Sequence, residues 1–94
     1  MDRAHDSYSE RQEVFDYVES SIKPILDKHG VVSEHRLGYY TYALALYSSQ
    51  LRLKFRVDRI REHRILRAKA QRRGLDPTIL DEIDERLVID KAGG

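Results

Sequence analysis

The sequence predicts an all-α protein in which three helices form one domain and two copies pair as a homodimer. Three observations support this prediction. Apolar residues recur at steps of three and four along most of the chain, as they do in amphipathic helices. Residues that end and start helices divide the chain near residue 30 and near residue 75. The segment between these points carries two apolar faces, which implies two packing partners.

The first predicted helix begins near Ser9, whose hydroxyl can cap it, with Gln12 three residues later as in a capping box. Pro24 lacks a backbone N–H and disfavours helical geometry at Lys23, so it should kink or restart this helix. Gly30 reads as the C-terminal stop. The apolar residues of this helix form one stripe, with Tyr17 at its margin: Val14, Phe15, Val18, Ile22, Ile25 and Leu26.

The central segment is predicted to be one long basic helix. From Ser33, a candidate N-cap, to Arg73 the chain has no proline and a single glycine, Gly38, so nothing obliges it to turn. A helix from about Leu37 to Arg73 would be roughly 55 Å long and would protrude from a domain of this size or be paired. One apolar face of it would carry Leu37, Tyr40, Leu44, Tyr47, Leu51, Phe55 and Leu66, and the opposite face Leu46, Leu53, Val57 and Ile60.

The first helix can cover one of these faces, and the other needs the third helix or a second copy of the protein. We therefore expect dimer or core packing from Leu44, Leu46, Leu51, Leu53, Phe55, Val57 and Ile60.

A strand is the alternative for residues 51–57, because apolar and basic residues alternate there strictly. It would pair with residues 40–46 and give an αββα arrangement. The connection Ser48-Ser49-Gln50 lacks the Asn-Gly or Asp-Gly that tight hairpins favour, so the helix is the preferred interpretation.

The third predicted helix is short and acidic. Gly74 ends the preceding helix, Asp76 is the N-cap and Pro77 is the first helical residue. Ile79, Leu80, Ile83 and Leu87 form its apolar stripe, and Asp81, Glu82, Asp84 and Glu85 are expected on its exposed side.

Residues 1–94 are expected to form a single helical domain with frayed ends at residues 1–8 and 91–94. The absence of cysteine excludes disulfides and thiolate metal sites and favours the cytoplasm. The N-terminal residues are polar and the longest nearly uncharged stretch, residues 37–50, is too short for a bilayer of about 30 Å, so no signal peptide or membrane span is predicted.

Charge is concentrated in residues 51–73, which hold ten of the seventeen Lys and Arg of the chain and only two acidic residues, although the net charge of the whole chain is +1. Such a segment should be stable only beside a polyanion or beside acidic protein surface. Residues 1–30 and 76–94 are net acidic, so the basic segment could also be neutralised within the fold.

The sharpest functional pattern is a basic stripe at steps of four, three, four and four, which suits phosphates because guanidinium groups contact them bidentately. The residues of this stripe and Arg73, at the end of the predicted helix, are the candidate nucleic-acid-binding residues: Arg52, Arg56, Arg59, His63, Arg67 and Arg73. Duplex is favoured over a single strand. The alternative is a helical protein-protein interaction or assembly subunit whose arginines pair with an acidic protein partner.

Two related patterns compete with this stripe. Residues 73–77 could be the turn of a helix-turn-helix motif, but the helix that follows is acidic and would be repelled by phosphates. Tyrosines of the central segment could stack on unpaired bases. Tyr40 and Tyr47 fall on the apolar face and are expected to be buried, which leaves Tyr39 and Tyr42 as the candidates for stacking.

No enzymatic activity, cofactor or metal is predicted. The acidic series Glu10, Glu13, Asp16 and Glu19 winds around its helix, because steps of three rotate each carboxylate by about 60° from the last. The four histidines include no pair at the four-residue step of helical zinc sites. Nucleophile motifs and glycine-rich phosphate loops are missing as well.

Overall fold

The computed structural model describes residues 3–88, with side chains from residue 10 onward. Its elements are α1 (Arg3–Lys28), α2 (Ser33–Arg52), α3 (Arg56–Arg72) and α4 (Pro77–Leu87). This part of the chain contains no strand, so the all-α prediction is confirmed, whereas the predicted number of three helices is wrong. The predicted frayed end at residues 91–94 lies outside the described residues.

Helix α1 is longer than predicted. It begins at Arg3, so Ser9 lies inside the helix and is not its N-cap. It also continues through Pro24, and the predicted restart at that residue is wrong. Flanking residues Ile22 and Ile25 are both in the core, and their burial holds the helical backbone on either side of the proline. No helix among the described residues is long and apolar enough to cross a membrane.

Both predicted helix ends at glycine are confirmed. Gly30 and Gly74 have φ values of +67° and +85°, a conformation that a residue without Cβ adopts at little cost. In both turns the residue after the glycine donates its N–H to the carbonyl five residues earlier, at 3.0 and 3.1 Å. Asp76 caps α4 as predicted, accepting from the Thr78 N–H at 2.9 Å. At the start of α2, however, the N-cap is Val32 and not Ser33.

The predicted long central helix is wrong, because the chain breaks between α2 and α3. Leu53 and Phe55 have extended backbone angles, with ψ values of 126° and 138°. The chain turns back there, and α3 packs beside α2 in the opposite direction. The longest dimension of the molecule is therefore only 43 Å. The alternative of a strand at residues 51–57 is not observed either.

Hydrogen bonds at the break explain why it is stable without proline or glycine. The Nη1 atom of Arg59 donates to the carbonyl oxygens of Leu53 at 2.8 Å and of Lys54 at 2.9 Å. In an unbroken helix these carbonyls would accept from backbone N–H groups four residues later. The Asp58 N–H donates instead to the Phe55 carbonyl at 3.1 Å. A side chain thus replaces the lost backbone donors.

The core lies between α1, α2 and α4, and α3 packs on the outside of α2. Gly38 allows a close approach here, since a Cβ at this position would lie 3.1 Å from Cδ2 of Leu75, which follows the end of α3. The apolar stripes predicted for the first and last helices supply most of the core. The buried residues are Val18, Ile22, Ile25, Leu26, Tyr39, Tyr42, Ala43, Leu46, Ala70, Ile79, Leu80, Ile83 and Leu87.

Several packing predictions for the central segment are wrong. Tyr39 and Tyr42 are buried and cannot stack on bases, whereas Tyr40 and Tyr47 are half-buried. The reason is the break. It lets α3 fold back on α2 and cover a side of α2 that one long helix would have left exposed. Leu46 is in the core as expected, and Leu44, Leu53 and Ile60 are half-buried. Leu51, Phe55 and Val57 are exposed in the protomer.

Candidate nucleic-acid interface

Helix α3 presents one side to solvent along its whole length. Within the part of the chain that the structure describes, it packs against α2 and the edge of α4, and Ala70 is its single buried residue. On a helix with 100° between residues, the opposite side forms what we call the outer face of α3. This outer face consists of six exposed residues: Val57, Arg61, Arg64, Ile65, Ala68 and Arg72.

The three arginines of the outer face make no ion pair among residues 10–88, the part of the chain with described side chains. Asp58 and Glu62, the two acidic residues of α3, are half-buried and lie to one side of this face. From Arg61 to Arg72 the helix rises roughly 16 Å, which is enough to follow several phosphates of a nucleic-acid strand. The outer face is therefore a positive surface that the fold leaves uncompensated.

The structure divides the stripe that the sequence predicts. Arg52 is the last residue of α2 and Arg56 the first of α3, so a turn in the chain separates them, although both are exposed. Arg59 binds the carbonyls at the α2–α3 break, on the side of α3 away from the outer face. Arg73, at the C-cap of α3, is exposed. The predicted residues therefore do not form one continuous surface.

His63 and Arg67 belong instead to a polar cluster that joins three helices around Asp84. The Nη1 atom of Arg67 donates to Oδ2 of Asp84 at 2.8 Å, and the buried Tyr42 hydroxyl donates to Oδ1. His63 Nε2 is 2.9 Å from Oδ2 of Asp84, within ion-pair distance but not aligned as a hydrogen bond. Arg67 also donates to Asp81 at 2.8 Å. Asp84 is therefore partly buried, contrary to its predicted place on the solvated side of the last helix.

The electrostatics of this cluster favour a structural role. Burial, reinforced by the hydrogen bond to the Asp84 carboxylate, raises the pKa of Tyr42 far above its ordinary value, so the hydroxyl stays protonated and donates. Burial disfavours the Arg67 guanidinium, but the carboxylates of Asp81 and Asp84 outweigh this effect and raise its pKa. The charge of Arg67 is thus satisfied inside the protein.

Two further carboxylates neutralise cations elsewhere in the fold. Asp27 on α1 pairs with Arg36 on α2 at 2.9 Å and with Lys23 at 3.2 Å, and these hydrogen bonds hold the pKa of Asp27 below its ordinary value. Glu82 on α4 pairs with Lys28 and His29 at the end of α1, which likewise lowers the pKa of Glu82. Acidic side chains are therefore used at the contacts of α1 with α2 and α4, away from the outer face.

Sequence reasoning missed Arg61, Arg64 and Arg72 as the arginines that share one exposed side. A signal was present, because these residues recur at helical spacing with Val57 and Ala68. Several arginine series with helical spacing run through this segment, however, and only the packing of α3 on α2 decides which one faces solvent. The Tyr42–Asp84–Arg67 cluster had no comparable local signal, because its members are far apart in sequence.

A second exposed feature lies where the N-terminal half of α1 meets the C-terminal half of α2. An open groove of about 600 Å³ runs between these helices. Its floor is apolar, and Phe15 and Leu51 are 42% and 54% exposed there. Charged residues stand on both walls. The lining residues are Glu10, Arg11, Val14, Phe15, Leu44, Ser48, Leu51 and Arg52.

The described residues contain no cluster of three or more side chains that could hold a metal ion. Comparison of the chain with protein-family models, with curated proteins and with solved structures finds no match. The fold and the site therefore define only a class, a small all-α protein whose described residues form four helices, with an uncompensated basic face on the third.

Proposed function

We propose that this protein binds nucleic acid through the outer face of α3, with Arg61, Arg64 and Arg72 contacting backbone phosphates. The observation that carries the proposal is that these three exposed arginines have no carboxylate partner among the described side chains, although the chain as a whole is nearly neutral. The exposed residues Arg56 and Arg73 extend the positive surface at the two ends of the helix.

Two physical arguments indicate that the outer face of α3 binds phosphates and is not merely solvated. Three unpaired guanidinium groups within four turns of helix repel one another, and a row of phosphates removes that repulsion while releasing counterions. Guanidinium forks also bind phosphate oxygens bidentately. Because these contacts are to the nucleic-acid backbone, the protein is expected to have only a modest preference for base sequence.

The test is a titration of a labelled duplex and a labelled single strand over a series of salt concentrations. For the native protein we expect the logarithm of the association constant to fall linearly with the logarithm of the salt concentration. The slope should be about −0.9 for each phosphate contact on duplex and about −0.7 for each contact on a single strand. The double variant Arg61→Ser, Arg64→Ser should weaken binding and make the slope shallower by the amount expected for the loss of nearly two phosphate contacts.

The matched control is Arg11→Ser with Arg86→Ser, which removes the same charge from exposed positions on α1 and α4. This control should keep the slope of the native protein. No binding of either nucleic acid at low salt, or an equal effect of the two double variants, would contradict the proposal.

The groove between α1 and α2 favours a second candidate function, a helical assembly subunit that forms a homodimer. Its apolar floor includes a partly exposed phenylalanine and leucine, which a second protomer seated in the groove would bury. A second copy suits it, because the walls carry both Glu10 and Arg52, and a two-fold axis can bring an acidic wall of one copy against a basic wall of the other. The two functions are compatible, since the groove and the outer face of α3 are separate surfaces.

A further inference from the structure

Phe55 is a large aromatic residue that the fold does not use. Its side chain is 61% exposed, and it belongs neither to the core nor to the partly buried residues packed against the core. Burying a phenylalanine stabilises a fold, so leaving this one in water forgoes a stabilising contribution. The protein contains only one other phenylalanine, Phe15.

The backbone beneath Phe55 is held firmly although it lies between two helices. The carbonyl of Phe55 accepts from the N–H groups of Asp58 and Arg59, both at 3.1 Å. The two preceding carbonyls accept from the Arg59 guanidinium. The backbone that carries the ring is thus ordered before binding, which lowers the entropy that a binding event must overcome.

Cations flank this residue in the sequence, and one of them lies over its ring. Lys54 and Arg56 on either side of Phe55 are exposed, and the Lys54 ammonium lies 5.9 Å from the ring centroid. The outer face of α3 begins directly after these residues. An exposed aromatic ring among cations that can follow a phosphate backbone is the arrangement used by proteins that bind single-stranded nucleic acid, in which bases stack on aromatic side chains.

We infer that Phe55 stacks on an unpaired base of a nucleic-acid strand whose phosphates lie along Arg56 and the outer face of α3. This inference rests on the proposed function and names its ligand class, single-stranded nucleic acid or a duplex with an unpaired base. It departs from the preference for duplex that the sequence suggested, which assumed one uninterrupted basic helix. Stacking tolerates any base, because every base has an aromatic face.

The first experiment uses tryptophan fluorescence, because the protein contains no tryptophan. The variant Phe55→Trp is titrated with a short oligothymidylate at low salt, with excitation where tyrosine does not absorb. We expect quenching that saturates with the strand, and weaker quenching by a fully paired duplex. Phe15→Trp is the matched control, since Phe15 is also partly exposed but is close in sequence to Glu13, Asp16 and Glu19 on α1. It should show no quenching.

The second experiment separates stacking from phosphate contacts. Phe55→Ala should weaken binding of the single strand about tenfold while its salt slope stays the same, because one stacked base is lost and no phosphate contact is. The variant should keep native stability, since the ring contributes nothing to the core. Arg61→Ser with Arg64→Ser should change the slope instead.

Outcomes for this inference and for the proposed function are distinguishable. Unchanged affinity in Phe55→Ala, or no quenching in Phe55→Trp while the native protein binds the strand, overturns the stacking role and leaves phosphate binding intact. Absence of binding in the native protein overturns both. Loss of a dimer in Phe55→Ala, seen by light scattering, overturns stacking by assigning Phe55 to assembly.

Discussion

Asp84 is the residue at which α2, α3 and α4 are joined, and it illustrates how one carboxylate can determine the placement of a neighbouring cation. It accepts from the Tyr42 hydroxyl on α2 and from Arg67 on α3. Its side chain is only 15% exposed. Arg67, which the sequence offered as a phosphate ligand, is thereby held inside the fold.

We expect Asp84→Ala to lower the free energy of unfolding by about 2–3 kcal/mol, because it leaves the buried Tyr42 hydroxyl without its acceptor and removes the less exposed of the two carboxylates that bind Arg67. Asp81→Ala is the matched control, since Asp81 binds the same guanidinium but is 71% exposed. It should cost less than about 1 kcal/mol. Urea unfolding of both variants measures the difference, and equal losses would mean that Asp84 has no special role.

The break between α2 and α3 is the element that converts one long helix into a pair of packed helices. Turning the chain at residues 53–55 lets α3 pack antiparallel on α2 and buries Ala70. It also separates Arg52 from the arginines of α3. The packing of α3 on α2 compensates for the backbone hydrogen bonds that are lost at the break.

Because Arg59 binds two carbonyls at this break, Arg59→Ala should lower the free energy of unfolding by about 1–2 kcal/mol. It should also speed hydrogen exchange of the amides that follow the break. Arg61→Ala, on the same helix, should change stability by no more than about 0.5 kcal/mol, because its side chain lies on the outer face. A pattern in which Arg61→Ala costs as much as Arg59→Ala would argue against the observed placement of the two side chains.

At the scale of the whole molecule, Asp27 and Glu82 hold α1 against α2 and α4. The pKa of each is lowered in the folded protein from ordinary values of 3.8 and 4.5. The folded state therefore binds these protons less readily than the unfolded state. The stability that they contribute is fully present above the unfolded pKa values and is lost as the pH falls through the lower, folded pKa values.

We therefore expect the urea midpoint to fall as the pH decreases below about 4.5. The double variant Asp27→Asn, Glu82→Gln should have a lower midpoint at neutral pH and a weaker dependence on acid. If native protein and double variant lose stability in parallel on acidification, other carboxylates carry the effect.

Assembly is also a property of the whole molecule. If the groove between α1 and α2 is a dimer interface, sedimentation should show a dimer for the native protein. Leu51→Glu should then give a monomer with unchanged helical circular dichroism, because the side chain is exposed in the protomer. Val57→Glu is the matched control, since Val57 is similarly exposed but lies on α3, and it should remain dimeric. A native monomer at high concentration would exclude this homodimer.

Local sequence patterns predicted the all-α class, the ends of α1 and α3 at Gly30 and Gly74, the start of α4 at Asp76 and Pro77, and the apolar stripes that α1 and α4 contribute to the core. These features depend on residues within one or two turns of each other, so local rules predict them. Packing between helices determines the remaining features: the chain breaks after Leu53, Asp84 points inward to Arg67, and Arg61, Arg64 and Arg72 face solvent. Each of these outcomes depends on contacts between residues distant in sequence, such as Tyr42 and Asp84, whose free energy no local pattern contains.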